Sequence, residues 1–186
     1  YLPVTLMLIG LTLRGVAFDF RVKAKDTHKA TWDRLFFAGS TLAAASQGWM
    51  LGRYVSGFGT GWNDPLFAAA IAVALPMAYA LLGAAWLIMK TEGELQRRAV
   101  EWARIAWAPM VGGLVLISMA TPWVSESVRM RWFVLPEMIA LSAIPLMTGA
   151  ALLAIRAVLR SRQVYGALSW MPFVLLIGVF VLGFLG

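Results

Sequence analysis

Cysteine is absent from this 186-residue sequence, and His28 is its one histidine. Without cysteine the chain cannot form a disulfide framework, a thiolate metal site or a cysteine nucleophile. A single histidine cannot supply a multi-histidine metal centre. Charged residues are also scarce, at 13% of the chain, against about a quarter in soluble domains. The scarcity of charge argues against a soluble domain.

Long apolar runs take the place of the missing charge. Hydrophobic residues make up 61% of the chain, and the mean hydropathy is +0.77. With about 20 apolar residues needed for each crossing, the sequence predicts an all-α, polytopic transmembrane helix bundle. We expect one domain, residues 1–186, with six spans at about 2–19, 32–53, 65–89, 103–121, 133–155 and 166–186. Both ends interrupt apolar sequence, so we expect the chain to be a piece of a larger protein.

The basic residues mark the predicted orientation. Twelve of the 16 lysines and arginines follow the first, third and fifth spans. Cytoplasmic loops are enriched in lysine and arginine, so we expect loops 20–31, 90–102 and 156–165 to face the cytoplasm. Because these charges alternate between loops, the net charge of +7 indicates membrane topology and no nucleic-acid partner.

Two charges lie within the first predicted span, Arg14 and Asp19. On a helix they are about 7.5 Å apart along the axis and roughly 140° apart around it. A charge at the bilayer centre costs about 2.5–3.5 kcal/mol on insertion scales, so such residues need a protein interior or a wet cavity. They could line a proton or ion path or neutralise a buried anion such as a haem propionate. The alternative is a topological anchor with a structural ion pair.

Other polar residues carry weaker signals. Glu137 at the start of the fifth span is interpreted as a first-turn acid favoured by the helix dipole. Gln47 is expected to hydrogen-bond another helix. His28 resembles a haem ligand only by residue type, and its charged neighbours Lys25, Asp26 and Lys29 favour a solvated role.

Two segments predict local packing. Gly48 and Gly52 form a small-xxx-small pair, which lets another helix approach closely. Residues 94–104 combine acids and bases with an apolar stripe at Leu95, Ala99 and Trp102, which predicts a short amphipathic helix on the cytoplasmic surface. From these residues alone a transporter, an energy-converting enzyme subunit and a structural partner all stay open. A transporter would bind an anionic ligand at Arg14, but the internal repeats expected of many transporters are not visible.

Two motifs carry a resemblance to a known family. Leu13-Arg14-Gly15-Val16-Ala17-Phe18-Asp19-Phe20-Arg21 and Trp86-Leu87-Ile88-Met89-Lys90-Thr91-Glu92-Gly93-Glu94-Leu95-Gln96 resemble signatures of subunit II of cytochrome bd-type quinol oxidases, including the cyanide-insensitive branch. The likeness covers essentially the whole chain, as roughly the third to eighth of nine spans. Many relatives have glutamate where this chain has Asp19.

The resemblance implies a subunit of an electrogenic quinol oxidase that reduces oxygen to water in the bacterial inner membrane. It implies that this chain holds no haem, metal or catalytic residue. Haems b and d would belong to a partner, subunit I, and quinol would be the substrate of the complex. A small accessory membrane subunit is a further expected partner, beside quinone and the lipid bilayer.

The resemblance also implies roles for particular residues. Asp19 would be a proton-relay acid near the cytoplasmic mouth of a pathway, and Arg14 a cation that sets the field deeper in the membrane. Lys90, Glu92 and Glu94 would order the cytoplasmic end of the third span, with proton collection as a second possibility.

Overall fold

The computed structural model describes residues 1–59, 61–124 and 137–185. All regular secondary structure in these ranges is helical, which confirms the predicted all-α class. The elements are α1 (Leu2–Lys23), α2 (Asp26–Val55), α3 (Asn63–Lys90), α4 (Gly93–Val124), α5 (Glu137–Arg160), a 3₁₀ turn (Arg162–Tyr165) and α6 (Met171–Leu185).

Four segments are long and apolar enough to cross a membrane: Leu2–Lys23, Asn63–Lys90, Gly93–Pro122 and Ser142–Arg160. They match the first, third, fourth and fifth predicted spans. The second predicted span lies in α2, whose 30 residues include Asp26, Asp33 and Arg34. The sixth lies in α6, where the apolar stretch Met171–Gly183 is shorter. Membrane crossing by α2 and α6 therefore stays a prediction.

Several predicted boundaries differ from the structure. Only Ala24 and Lys25 separate α1 from α2, and α5 continues to Arg160, so much of the first and third basic loops is helical. The last helix begins at Met171, five residues later than predicted, because a 3₁₀ turn and further turns occupy residues 162–170. Residues 133–136 and 186 of the predicted spans lie outside the described ranges.

The prediction of a separate surface helix at residues 94–104 is wrong. These residues form the first turns of α4, which continues without a break to Val124. Of the predicted stripe, Ala99 is buried, but Leu95 and Trp102 are 45% and 49% exposed, and the other buried residues of this segment are Gln96, Val100 and Ala103. The buried face is made of small residues and one amide, so hydrophobicity alone pointed to the wrong side.

The first of two compact units, residues 1–76, is built on close helix contacts. A Cβ added at Gly48 would lie 2.6 Å from the Ile71 carbonyl oxygen, and one at Gly52 would collide with Ala68. The predicted small-xxx-small contact is therefore confirmed, with α3 as the partner helix. Pro65 is the third residue of α3, in the first turn, where proline is tolerated because it breaks no helical hydrogen bond.

The second unit, residues 77–186, contains the larger apolar core. Its largest fully buried side chains come from every helix of the unit and from the 3₁₀ turn: Leu81, Ile88, Val100, Ile155, Leu159, Val164, Pro172 and Leu176. This core fixes the ends of α3, α4 and α5 near the 3₁₀ turn. That all six helices form one domain stays a prediction.

Candidate functional site

The first candidate site is built on the crossing of α1 and α2 at Gly10 and Gly39. A Cβ at Gly10 would lie 2.7 Å from the Gly39 carbonyl oxygen, and a Cβ at Gly39 would lie 2.9 Å from the backbone nitrogen of Arg14. Real Cβ atoms do not approach backbone atoms this closely. The absence of side chains at these two positions therefore lets the α1 backbone reach α2 beside Arg14.

Arg14 lies at the edge of this crossing. Its guanidinium carbon is 5.5 Å from the ring centroid of Phe36 on α2, within the range of a cation–π interaction. The side chain is otherwise on the exposed surface of the unit. Within the chain, Arg14 thus has an aromatic partner that positions its charge without neutralising it.

Asp19 lies on the side of α1 that faces away from α2. Ala17 is fully buried against the unit, and a residue two positions further along a helix is rotated by about 160° away from it. Asp19 is accordingly exposed. In the described part of the chain no ion pair joins Asp19 to Arg14, so the two charges do not neutralise each other.

The last residue of the first motif, Arg21, takes the ion-pair role instead. Its guanidinium donates to both carboxylate oxygens of Asp33 on α2, and Phe20 stacks on Trp32 with ring centroids 5.1 Å apart. These two contacts hold the last turn of α1, near Asp19, against the first turns of α2. From the sequence, Arg21 was counted as a basic residue after the first span and as the end of the first motif, with no contact assigned to it. The spacing of Phe20, Arg21, Trp32 and Asp33 across a tight helical turn was the available signal.

The second group of candidates, Lys90, Glu92 and Glu94, lies where α3 meets α4. The Lys90 ammonium is 5.2 Å from the Trp86 ring centroid, and Glu94 accepts a 3.2 Å hydrogen bond from Arg98 one turn along α4. Glu92 is exposed in the two-residue connection between the helices. The structure gathers these three residues at one corner of the second unit, whereas Arg14 and Asp19 belong to the first.

Sequence reasoning missed the polar contacts that hold this second unit together. Gln96 is 6% exposed, and its amide donates a 2.9 Å hydrogen bond to the Ile88 carbonyl. Arg104 donates twice to the Leu159 carbonyl, at 2.8 and 2.5 Å. Because Leu159 is in the last turn of α5, this guanidinium satisfies a carbonyl that has no partner within its own helix.

A third such contact joins α4 to α5 deeper in the unit. Trp107 donates its indole N–H to the Leu152 carbonyl at 3.1 Å, and the Arg156 guanidinium lies 4.8 Å from the Trp107 ring centroid. From the sequence, both Arg104 and Arg156 were predicted to lie in loops. The three-residue spacing of Arg104 and Trp107 on one helix face was the signal that could have found them.

The residues available to hold a metal or haem are few. No group of three or more histidine, cysteine, aspartate or glutamate side chains occurs within the described ranges. His28 is exposed in the first turn of α2, with Nδ1 3.1 Å from the Thr27 hydroxyl. An exposed imidazole beside a hydroxyl does not fit axial ligation of a buried haem. The side chain of Glu137 lies outside the described residues.

Comparison with known proteins agrees with the motifs. No curated protein matches the chain. The family of cytochrome bd terminal oxidase subunit II matches residues 1–186, the whole chain. Together with the all-helical fold and its membrane-length apolar helices, this match shows that the chain belongs to the cytochrome bd terminal oxidase subunit II family.

Proposed function

We propose that this chain is a haem-free subunit of a quinol:oxygen oxidoreductase that stabilises a haem-bearing subunit I and contributes to a cytoplasmic proton pathway. Haems b and d would be on subunit I, quinol would be the substrate, and the complex would lie in the bacterial inner membrane. One observation carries the pathway: Arg14 and Asp19, two charges of the first family motif, have no ion-pair partner in the described ranges.

The exposure of α1 supports a partner subunit at this helix. Only 11% of its most apolar 18-residue window is buried within the chain. Lipid can cover exposed leucine and valine, but it cannot solvate the carboxylate of Asp19 or the guanidinium of Arg14. We infer that another protein chain, or water held between chains, covers the face that carries Asp19.

The two charges would have different tasks. Asp19, near the α1 end that carries Arg21 and Lys23, would accept protons from the cytoplasm and release them inwards. Arg14, deeper in the helix and fixed against Phe36, would stabilise anionic states along the path and repel protons from its own position. Lys90, Glu92 and Glu94 would order the surface; of these, Glu92 is the acid best placed to collect protons because it has no ion-pair partner in the described ranges.

The haem assignment rests on this chain's donor set. The exposed His28 does not fit haem iron, and therefore no redox step passes through this chain's residues in the proposed mechanism. Its residues bind the partner, hold α1 at a fixed register through the Gly10–Gly39 crossing, and carry protons.

The proposal is tested on the intact complex purified through this chain. We expect haem b and d bands in a reduced-minus-oxidised spectrum. Asp19→Asn and Arg14→Gln should retain those bands while quinol-driven oxygen uptake falls about tenfold or more. Asp19→Asn removes the proton-accepting carboxylate, and such groups are typically worth about 10²–10⁴-fold in rate. Arg14→Gln removes the fixed cation that would stabilise anionic states along the path. Asp19→Glu should keep most of the rate because the carboxylate is retained.

Asp26→Asn provides the matched control. Asp26 is an exposed acid in the first turn of α2 whose partner is Lys29, at 2.8 Å, and it lies outside the motif. Its substitution should leave oxygen uptake unchanged. Absence of the haem bands would overturn the oxidase assignment. Full activity in both Asp19→Asn and Arg14→Gln would remove the proton pathway, and loss of haem in either would point to a structural role.

A further inference from the structure

One cavity, far along the sequence from the first motif, has no role in the proposed function. It has a volume of about 550 Å³ and is lined by Gly93, Gln96, Arg97, Arg162 and Tyr165. This volume lies within the range of small-ligand sites. The lining comes from two separate elements, the first turns of α4 and the 3₁₀ turn.

Both elements are held in place by buried groups. Gln96 is bonded to the Ile88 carbonyl, which fixes the start of α4 on the end of α3. On the other wall, Val164 is fully buried in the core of the unit, and the backbone N–H of Leu168 donates to the Gln163 carbonyl. The two arginines are therefore presented from anchored backbone, one on each wall.

The charges in this cavity are unbalanced. Within the described ranges, neither Arg97 nor Arg162 has an ion pair or a side-chain hydrogen bond, and Glu94 is taken by Arg98. The start of α4 adds backbone N–H groups without helical partners and the positive end of the helix dipole. Gly93 begins α4 with a positive φ of +70°. Because glycine has no side chain, the backbone itself forms this part of the cavity wall.

We propose that this cavity binds the phosphate group of an anionic phospholipid. Two arginines and a helix start are the donors that phosphate oxygens prefer, and basic pockets at the ends of transmembrane helices are typical anionic-lipid sites. The cavity lies where α3 and α5 end and α4 begins. If these helices cross the bilayer, the cavity is at the level of the lipid headgroups. Tyr165, which lines the cavity and is 44% exposed, is of a residue type enriched at the membrane–water interface.

The test uses the complete oxidase complex, purified and stripped of lipid in detergent. Dioleoyl phosphatidylglycerol is titrated into the wild type, and bound lipid is counted by native mass spectrometry. Arg97→Gln and Arg162→Gln should each weaken binding at one site about tenfold, the effect of losing one charged hydrogen-bonding group. Arg97→Lys and Arg162→Lys should lose less, since they keep the charge but not the planar fork.

Arg160→Gln is the matched control, because Arg160 is exposed, has no ion pair in the described ranges and does not line the cavity. Unchanged affinity in Arg97→Gln and Arg162→Gln would overturn the proposal. So would an equal loss in Arg160→Gln, which would indicate diffuse surface charge, or equal binding of dioleoyl phosphatidylcholine at the arginine-dependent site. If inorganic phosphate alone binds with the same arginine dependence and the lipid does not displace it, the occupant is a soluble anion and the lipid assignment fails.

Discussion

Single residues decide how the charges of α1 are used. Arg14 and Asp19 are five positions apart on one helix, yet Arg14 lies beside α2 and Asp19 faces away from it. The chain gives Arg14 a ring to rest on and gives Asp19 no partner in the described ranges. A cation–π contact lets an arginine keep its full charge while its position is fixed, which suits a residue that sets a local field.

Phe36 should therefore matter through Arg14. Phe36→Leu removes the ring under the guanidinium and leaves the charge in place, so oxygen uptake per haem should fall about two- to fivefold, in proportion to about 0.5–1 kcal/mol of lost cation–π energy. Phe37→Leu is the control, because the neighbouring Phe37 is 72% exposed and contacts no cation in the described ranges. Equal rates in Phe36→Leu and wild type would show that Arg14 holds its position without the ring.

At the scale of elements, the α1–α2 crossing depends on two positions without side chains. In Gly39→Ala the new Cβ would lie 2.8 Å from the Gly10 carbonyl oxygen and 2.9 Å from the Arg14 nitrogen. The helices must move apart, and the free energy of unfolding should fall by about 1–3 kcal/mol, as for other overpacked cores. The thermal unfolding midpoint of the purified complex measures this.

Gly83→Ala is the control for that substitution. Gly83 is inside α3, and within the described ranges a Cβ there would meet no atom within 4 Å beyond the backbone of its own helix. Alanine also favours the helix over glycine, so the midpoint should stay or rise. A midpoint in Gly39→Ala equal to that of the wild type would mean that the α1–α2 crossing relaxes without cost.

Elements also show where sequence reasoning succeeded and where it failed. Apolar length located every described helix, and the Gly48–Gly52 pair correctly predicted a close contact. The prediction of helix ends failed where polar residues are helical. Arg104 and Arg156 were counted as loop charges, yet each contacts a neighbouring helix. Charge counts cannot reveal that a carbonyl at the end of α5 needs a donor, because that need arises only from packing.

The candidate site was predictable only in part. The cost of burying a charge singled out Arg14 and Asp19, and the motif identified them independently. The positions of the two around α1 follow from helical spacing, but which side meets α2 depends on Gly10 and Gly39, whose contact is a tertiary feature. The cavity at Arg97 and Arg162 joins residues about 65 positions apart, and no local sequence pattern predicts it.

At the scale of the whole molecule, orientation in the membrane links the proposals. The proton pathway requires the α1 end with Asp19 to face the cytoplasm, and the lipid site lies on the same predicted side. If α2 and α3 both cross the membrane, the connection at residues 24–25 and the start of α4 share one side, and the start of α3 lies opposite. The absence of native cysteine makes this testable with single cysteine substitutions.

Lys25→Cys, Glu92→Cys and Gln163→Cys should react with a membrane-impermeant maleimide only in inverted vesicles, and Asn63→Cys only in intact spheroplasts. All four positions are exposed in the structure, and labelling after denaturation provides the reference for full reaction. Opposite labelling of residues 25 and 63 would establish that α2 crosses the bilayer even though polar residues lower its hydropathy. Labelling of both from one side would contradict this and make α2 a surface helix. Labelling of residues 92 and 163 from opposite sides would contradict paired crossing by α4 and α5.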